Sequence, residues 1–269
     1  MLTDNPQYWA YADSIRELHL LAQRGLFESD EAEMVRDRSD EHWTFLTKRE
    51  MDWLRCLSSD LYTLEGENPQ IGGRVPDVSI SEEIWEAVRE DRFDDVVQLT
   101  SRLDDPAYAA FTRAAYWSFL GDTSSALLLI DEAIRLDPED QYHQIMRTQI
   151  RSFLDRSQAF REAEELTKQP VDREPNLRLV LEVIVFLLAL TQSRSDALKE
   201  SVEKIQEILN HPERSLSLRP DFREVALWIL DLYHRWLANH DDPILLKMAG
   251  DALNELPTTM HQYIPQSAA

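Results

Sequence analysis

Apolar residues recur along this chain at intervals of three and four, and nowhere in convincing alternation, so every readable segment predicts helix and none predicts strand. Asn5-Pro6 is a helix start, because a proline in the first turn loses no hydrogen bond there. Tyr8, Tyr11, Ile15, Leu18 and Ala22 follow on one stripe, and Gly25 is placed to end the helix in the left-handed conformation. Asp30 with Glu33 predicts a capping box opening a short acidic helix. Thr47-Lys-Arg-Glu50 is a full capping box, with Leu54, Leu57, Leu61 and Leu64 behind it at helical spacing. Residues 1–65 therefore read as a three-helix unit with Trp9, Trp43 and Trp53 available for its core.

Residues 66–80 hold three glycines and two prolines, the clearest break in the pattern. They are read as a linker, with an ordered crossing loop as the alternative. From Ser81 onward helices come in pairs with regular punctuation. Pro106, Pro138 and Pro170 follow apolar stripes at spacings of 32 and 32 residues. A fixed period of that size marks arrays of helical hairpins, each burying its stripe against the next. Beyond Pro170 the period loosens, with helices expected near 176–192, 196–210, 220–238 and 243–255. Residues 258–269 read as a tail.

Residues 107–138 carry Ala114 and Trp117 on a first helix, a Leu120-Gly121-Asp122 turn, then Ala126, Ile130 and Ala133 ahead of Leu136-Asp137-Pro138. This segment resembles a tetratricopeptide (TPR) repeat. Small residues at 114, 126 and 133 let two backbones approach, Trp117 and Ile130 fill the gaps, and Pro138 stops the second helix. Two positions depart from the family: Ala110 stands where a large aromatic is usual, and Arg113 where leucine is. The resemblance is partial over 82–106 and 139–170 and degenerate over 176–257. Tyr8-Trp9, Arg16-Glu17-Leu18-His19, Trp43, Leu46 and Leu57-Ser-Ser-Asp60-Leu61-Tyr62 are similar to a stretch in uncharacterised bacterial proteins that carry helical repeats, a group with no activity to transfer. The resemblance implies an all-α fold: a right-handed TPR-like helical-hairpin solenoid over 81–257, preceded by the small helical unit.

Composition narrows the chemistry. Against 28 basic residues stand 50 acidic ones, a formal charge of −22 in 269 residues. Such a surface repels phosphate backbones and anionic lipid, so neither nucleic acid nor membrane is expected as a partner. Six glycines leave no material for a Gly-rich phosphate loop, and the single Cys56 excludes an internal disulfide and any Cys-based zinc site. Residues 1–9 show no secretory signal, and the Leu179–Leu190 run is too short to span a bilayer, so a cytoplasmic protein is expected. Among seven histidines there is no HExxH or ExxH. Asp231 with His234 is a DxxH pair. His240-Asp241-Asp242 is similar to the His-Asp pair of all-helical phosphohydrolases, but it directly precedes Pro243, where Asp242 reads as an N-cap. Cys56 reads as a structural thiol. No cofactor or metal is expected.

Two surfaces remain. By the TPR resemblance the inner groove would be lined by Tyr108, Phe111, Ala115, Ser118 and Phe119, followed by Tyr142, Ile145 and Gln149. These aromatics suit an apolar or amphipathic peptide, unless they are simply core. The second is acidic: seven acids within 28–41, and Glu82, Glu83, Glu86, Glu90, Asp91, Asp94 and Asp95 with Asp104 and Asp105 beyond. It reads as a solvated face or as a docking patch for a basic partner. The leading expectation is a non-enzymatic interaction or scaffold module that binds a segment of a partner protein. The alternatives are an acidic nucleic-acid mimic that sequesters a basic protein and, more weakly, an all-helical metal-dependent hydrolase. Partner identity and oligomeric state are not readable from the sequence.

Overall fold

The computed structural model describes residues 2–62, 78–169, 175–240 and 242–260, and among them every regular element is a helix. The chain divides into two compact units, the first ending at Glu139 and the second beginning at Asp140. The expected break at 66–80 lies outside the described residues as far as 77; Val78–Ile80 already belong to a helix.

The first unit contains α1 (Pro6–Gln23), α2 (Asp30–Trp43), α3 (Lys48–Tyr62), α4 (Val78–Arg89), α5 (Phe93–Ser101), α6 (Pro106–Leu120) and α7 (Thr123–Leu136). Local chemistry explains most of their boundaries. Asn5 caps α1 by accepting from the Gln7 amide at 3.0 Å, and Gly25, at φ +72°, closes it in the left-handed region. The cap of α2 is Ser29, whose hydroxyl accepts from the Ala32 amide at 3.3 Å, one residue ahead of the expected Asp30. Both halves of the Thr47/Glu50 box form: the Thr47 amide reaches Glu50 Oε2 at 2.7 Å, and the Glu50 amide reaches Thr47 Oγ1 at 3.3 Å. Glu50 is itself buried and also accepts from Thr3 Oγ1 and Asn5 Nδ2. Against the opposing effect of burial, these hydrogen bonds hold its carboxyl below the usual range.

The hairpin of α6 and α7 has the packing that the alanines foretold. Asp105 caps α6 ahead of Pro106, Gly121 ends it at φ +92°, and Asp122 caps α7. Ala114, Ala126, Ala133, Trp117 and Ile130 are all inaccessible. Helix α1 packs against both α2 and α3, and α3 meets α5; α4 and α5 pair and abut α6. Trp53 is fully buried against Phe93 and Trp117, whereas Trp9 and Trp43 are only half-buried, so one of the three expected core tryptophans is core.

The second unit holds α8 (Gln141–Ser152), α9 (Arg156–Thr167), α10 (Pro175–Thr191), α11 (Ser195–Asn210), α12 (Pro212–Ser217), α13 (Pro220–Ala238) and α14 (Pro243–Met260). Helices near 176, 196, 220 and 243 stand where their periodicity placed them, and Pro220 and Pro243 occupy first turns. The short α12 was not expected, and α14 runs past 258 to Met260. At the centre lies α10, whose residues from Leu179 to Leu190 are buried without exception; it packs against α8, α9, α11, α12, α13 and α14. Among the described residues no helix is long and apolar enough to cross a membrane.

The α6–α7 crossing yields a stability test. Ala133→Leu adds methylenes to a contact with no free space, so unfolding free energy should fall by about 1–3 kcal/mol. An unchanged melting temperature would show that this face is not packed.

Candidate functional site

Of the residues expected to line a groove, the structure buries Phe111, Ala115 and Ser118 in the first unit and Tyr142, Ile145 and Gln149 in the second. Phe119 alone is open, at 41 % exposure, with its ring edge-on to Trp85 at 5.7 Å, while Tyr108 is half-buried and stacks on Phe111. The stripe on α6 is therefore packing in the main. The reason is coverage: α6 has α7 along one side and α4 and α5 on others, so a helix that is apolar nearly all round finds neighbours for most of its faces.

The acidic stretch is more structured than a solvated face requires. Asp91 sits at φ +54° between α4 and α5, takes a bidentate grip from Arg49 at 2.9 and 3.0 Å, and accepts from Trp53 Nε1 at 3.3 Å. Arg92 pairs with Glu90 at 2.7 Å and with Asp95, and lies 3.9 Å from Glu86. Glu82, Glu83 and Asp94 are left exposed to solvent. Asp94 and Asp95 occupy the first turn of α5, where acids favour the helix dipole.

Two buried polar clusters were not foreseen. In the first, Asp60 of α3 is almost inaccessible and faces α6. Its carboxylate pairs with Arg113 at 3.1 Å, and it accepts from Trp117 Nε1 at 2.9 Å and from the Tyr116 hydroxyl. Cys56 Sγ lies 3.8 Å from the same carboxylate. Burial pushes Asp60 upward against the pull of Arg113, Tyr116 and Trp117; burial, with the charge of Asp60, pushes the Cys56 thiol well up. Cys56 is thus a free, buried thiol. In the second cluster Arg16 of α1 donates from Nη1 to both Asp122 oxygens at 2.9 Å and to Ser125 Oγ at 2.8 Å, joining α1 to the turn of the α6–α7 hairpin. The signal for the first cluster was in the sequence: Arg113 stands where the TPR pattern has leucine, and an arginine inside a packed hairpin demands an acid.

The three N-terminal helices enclose a cleft of about 220 Å3. Its walls are Tyr11, Ile15 and Leu18 of α1, Trp43 of α2, and Leu54, Ser58, Leu61 and Tyr62 of α3, with Phe27, His19 and Arg55 at its margins. Tyr11 and Trp43 have ring centroids 5.2 Å apart; Phe27 and Tyr62 meet edge to face at 6.4 Å. Tyr11, Ile15 and Leu18 belong to the stripe read from the sequence, and each is only half-buried where it faces this cleft, whereas Tyr8 of the same stripe is fully buried. Burial, and then the charge of Asp40, push the Tyr11 phenol upward.

The candidate metal ligands do not converge. Asp231 pairs with Arg235 at 2.8 Å, the His240 ring contacts the Trp236 carbonyl at 2.7 Å, and Asp242 caps α14 through the Ile244 amide at 2.9 Å. Asp241 lies outside the described residues, among which no group of three or more His, Cys, Asp or Glu is gathered as a metal would need. Compared with protein-family models, curated proteins and solved structures, the chain matches none.

The Asp60 cluster predicts an unusual pH response. Arg113→Met strands a buried carboxylate and should cost about 3–5 kcal/mol at neutral pH. Folding raises the proton affinity of Asp60 above that of the unfolded chain, so the penalty is present above the folded value and relieved as pH falls through it. Urea unfolding of variant and wild type at pH 7 and pH 5 should show the gap narrowing on acidification. A gap below about 1 kcal/mol, or one that widens, contradicts the pairing.

Proposed function

We propose that this chain is a non-enzymatic interaction module of TPR-like build, which holds one apolar side chain of a partner protein in the cleft between α1, α2 and α3. The single observation that carries the reading is that cleft. A dry cavity of about 150 Å3 accommodates benzene, and small-molecule sites begin near about 300 Å3. At about 220 Å3 the cleft fits one bulky side chain better than a cofactor or metabolite. Rigid aromatic walls suit such an anchor, since they lose little entropy when it docks. The TPR-like element rests on the α6–α7 hairpin; α10, surrounded on all sides, departs from a solenoid in which each pair touches only its neighbours. The acidic-mimic alternative is less well supported, because Arg49 and Arg92 engage the acids at 86–95.

Peptide display, with the immobilised protein alone as bait, tests this. Selected sequences should share a bulky apolar residue. Their affinity should fall at least tenfold on Ser58→Phe, which fills the cleft, and on Tyr62→Ala, which removes an exposed wall, with melting temperatures nearly unchanged. Binders indifferent to both substitutions would refute the cleft as the docking site.

A further inference from the structure

The surroundings of the cleft specify the partner's charge. Glu28, Asp30, Glu31, Glu33, Asp37, Asp40 and Glu41 are all exposed, on α2 and the residue pair before it. Several repel one another along the helix: Glu33 with Asp37 and Asp37 with Glu41 at i,i+4, and Asp37 with Asp40 at i,i+3. The basic residues of this stretch do not offset them. Arg36 donates to the Phe27 carbonyl at 2.6 Å and lies over its ring at 4.5 Å, and Arg38 reaches across to Glu17 of α1. Two other surface helices are built differently. Lys199 sits with Glu203 and Lys204 with Glu200 on α11, and Asp231 with Arg235 on α13, each at i,i+4. An acidic helix kept only soluble needs no such imbalance. Here the imbalance lies against an aromatic opening, since Asp40 is one helical turn from the cleft residue Trp43 and its charge falls on Tyr11.

We infer that the segment received by the α1–α3 cleft is basic: one bulky apolar residue seated between Tyr11, Trp43 and Tyr62, flanked by lysines or arginines that lie against Asp37, Asp40 and Glu41. This rests on the interaction reading above and adds the partner's charge to it. The apolar anchor supplies the contact and the acids steer and orient the approaching chain.

Three fluorescein-labelled 13-residue peptides test the inference by anisotropy: Lys/Ser repeats around a central Leu-Trp, the same with Glu for Lys, and the Lys peptide with its centre changed to Ser-Ser. The Lys/Leu-Trp peptide should bind at least tenfold more tightly than either of the others. Its affinity should fall steeply between about 20 mM and 500 mM salt, over which screening shortens from beyond 10 Å to a few ångströms. Ser58→Phe should weaken it at least tenfold. The exposed triple change Asp37→Lys, Asp40→Lys, Glu41→Lys should transfer the preference to the Glu peptide, with circular dichroism confirming the fold. Equal binding of the Lys and Glu peptides, both lost on Ser58→Phe, would overturn the basic partner and leave the cleft standing. Equal binding of the Leu-Trp and Ser-Ser peptides would overturn anchoring, showing charge alone at work. Absence of binding by all three overturns the inference as well.

Discussion

A carboxylate and a guanidinium almost without access to water, Asp60 and Arg113, set the position of α3, and much of the first unit follows from that. Such a pair is a poor source of net stability, because desolvation offsets most of the attraction. What it does is exclude alternatives. A slide of α3 along α6 would leave two charges buried and unmatched, with the Tyr116 hydroxyl and the Trp117 indole unsatisfied too. The Arg16–Asp122 pair imposes the same condition on α1. Since α3 turns Trp53, Leu57 and Asp60 inward and lends Ser58, Leu61 and Tyr62 to the cleft, the buried pair on one face fixes the shape of the opening on the other.

The chain's negative charge is distributed by two different rules. Between α4 and α5, and along α11 and α13, several acids meet a guanidinium or an ammonium within a turn or across a connection. On α2 the arginines are spent on a carbonyl, a ring and the neighbouring helix, so the acids project their field into solvent. In the second unit the central helix α10 buries Glu182 completely. Arg178 pairs with that carboxylate at 2.7 Å, and Lys204 lies 3.9 Å away; burial raises the Glu182 carboxyl while both cations oppose it. A lone acid in the most apolar run of the sequence is thus accommodated by cations reaching in from its edges.

Helices were legible because their signals are local. Asn5-Pro6, Thr47…Glu50, Gly121 and Asp242-Pro243 act within a turn, and each ends or begins a helix where its chemistry requires. The close α6–α7 crossing was equally legible, since alanine at 114, 126 and 133 has little other use at that spacing. Periodicity ranks faces by polarity, however, and stays silent about how completely a face is covered. Phe111 on α6 and Tyr11 on α1 are indistinguishable as members of an aromatic stripe, yet one is sealed by neighbouring helices and the other opens onto a cleft. The buried ions were hidden for a related reason. Asp60 and Arg113 lie 53 residues apart, and although Arg113 departs from the repeat pattern, nothing within α3 marks Asp60 as the acid that answers it.

The cleft and the acidic helix beside it have one origin. Four of the fourteen residues of α2 are apolar, Ala32, Met34, Val35 and Trp43, and Met34 points to solvent. Toward the other helices α2 therefore offers Ala32, Val35 and Ser39, with Ala32 and Val35 closing on Leu21 and partly on Leu18. Side chains that small cannot fill the space in front of Tyr11 and Ile15, and Trp43 borders that space without occupying it. Replacing an inward-facing residue of α2 such as Ser39 by a larger apolar one would fill that space and stabilise the unit through added burial. It would remove the opening at the same time. The composition of this helix leaves the first unit with an apolar concavity beside a strongly acidic border, the two features on which the proposed basic partner segment rests.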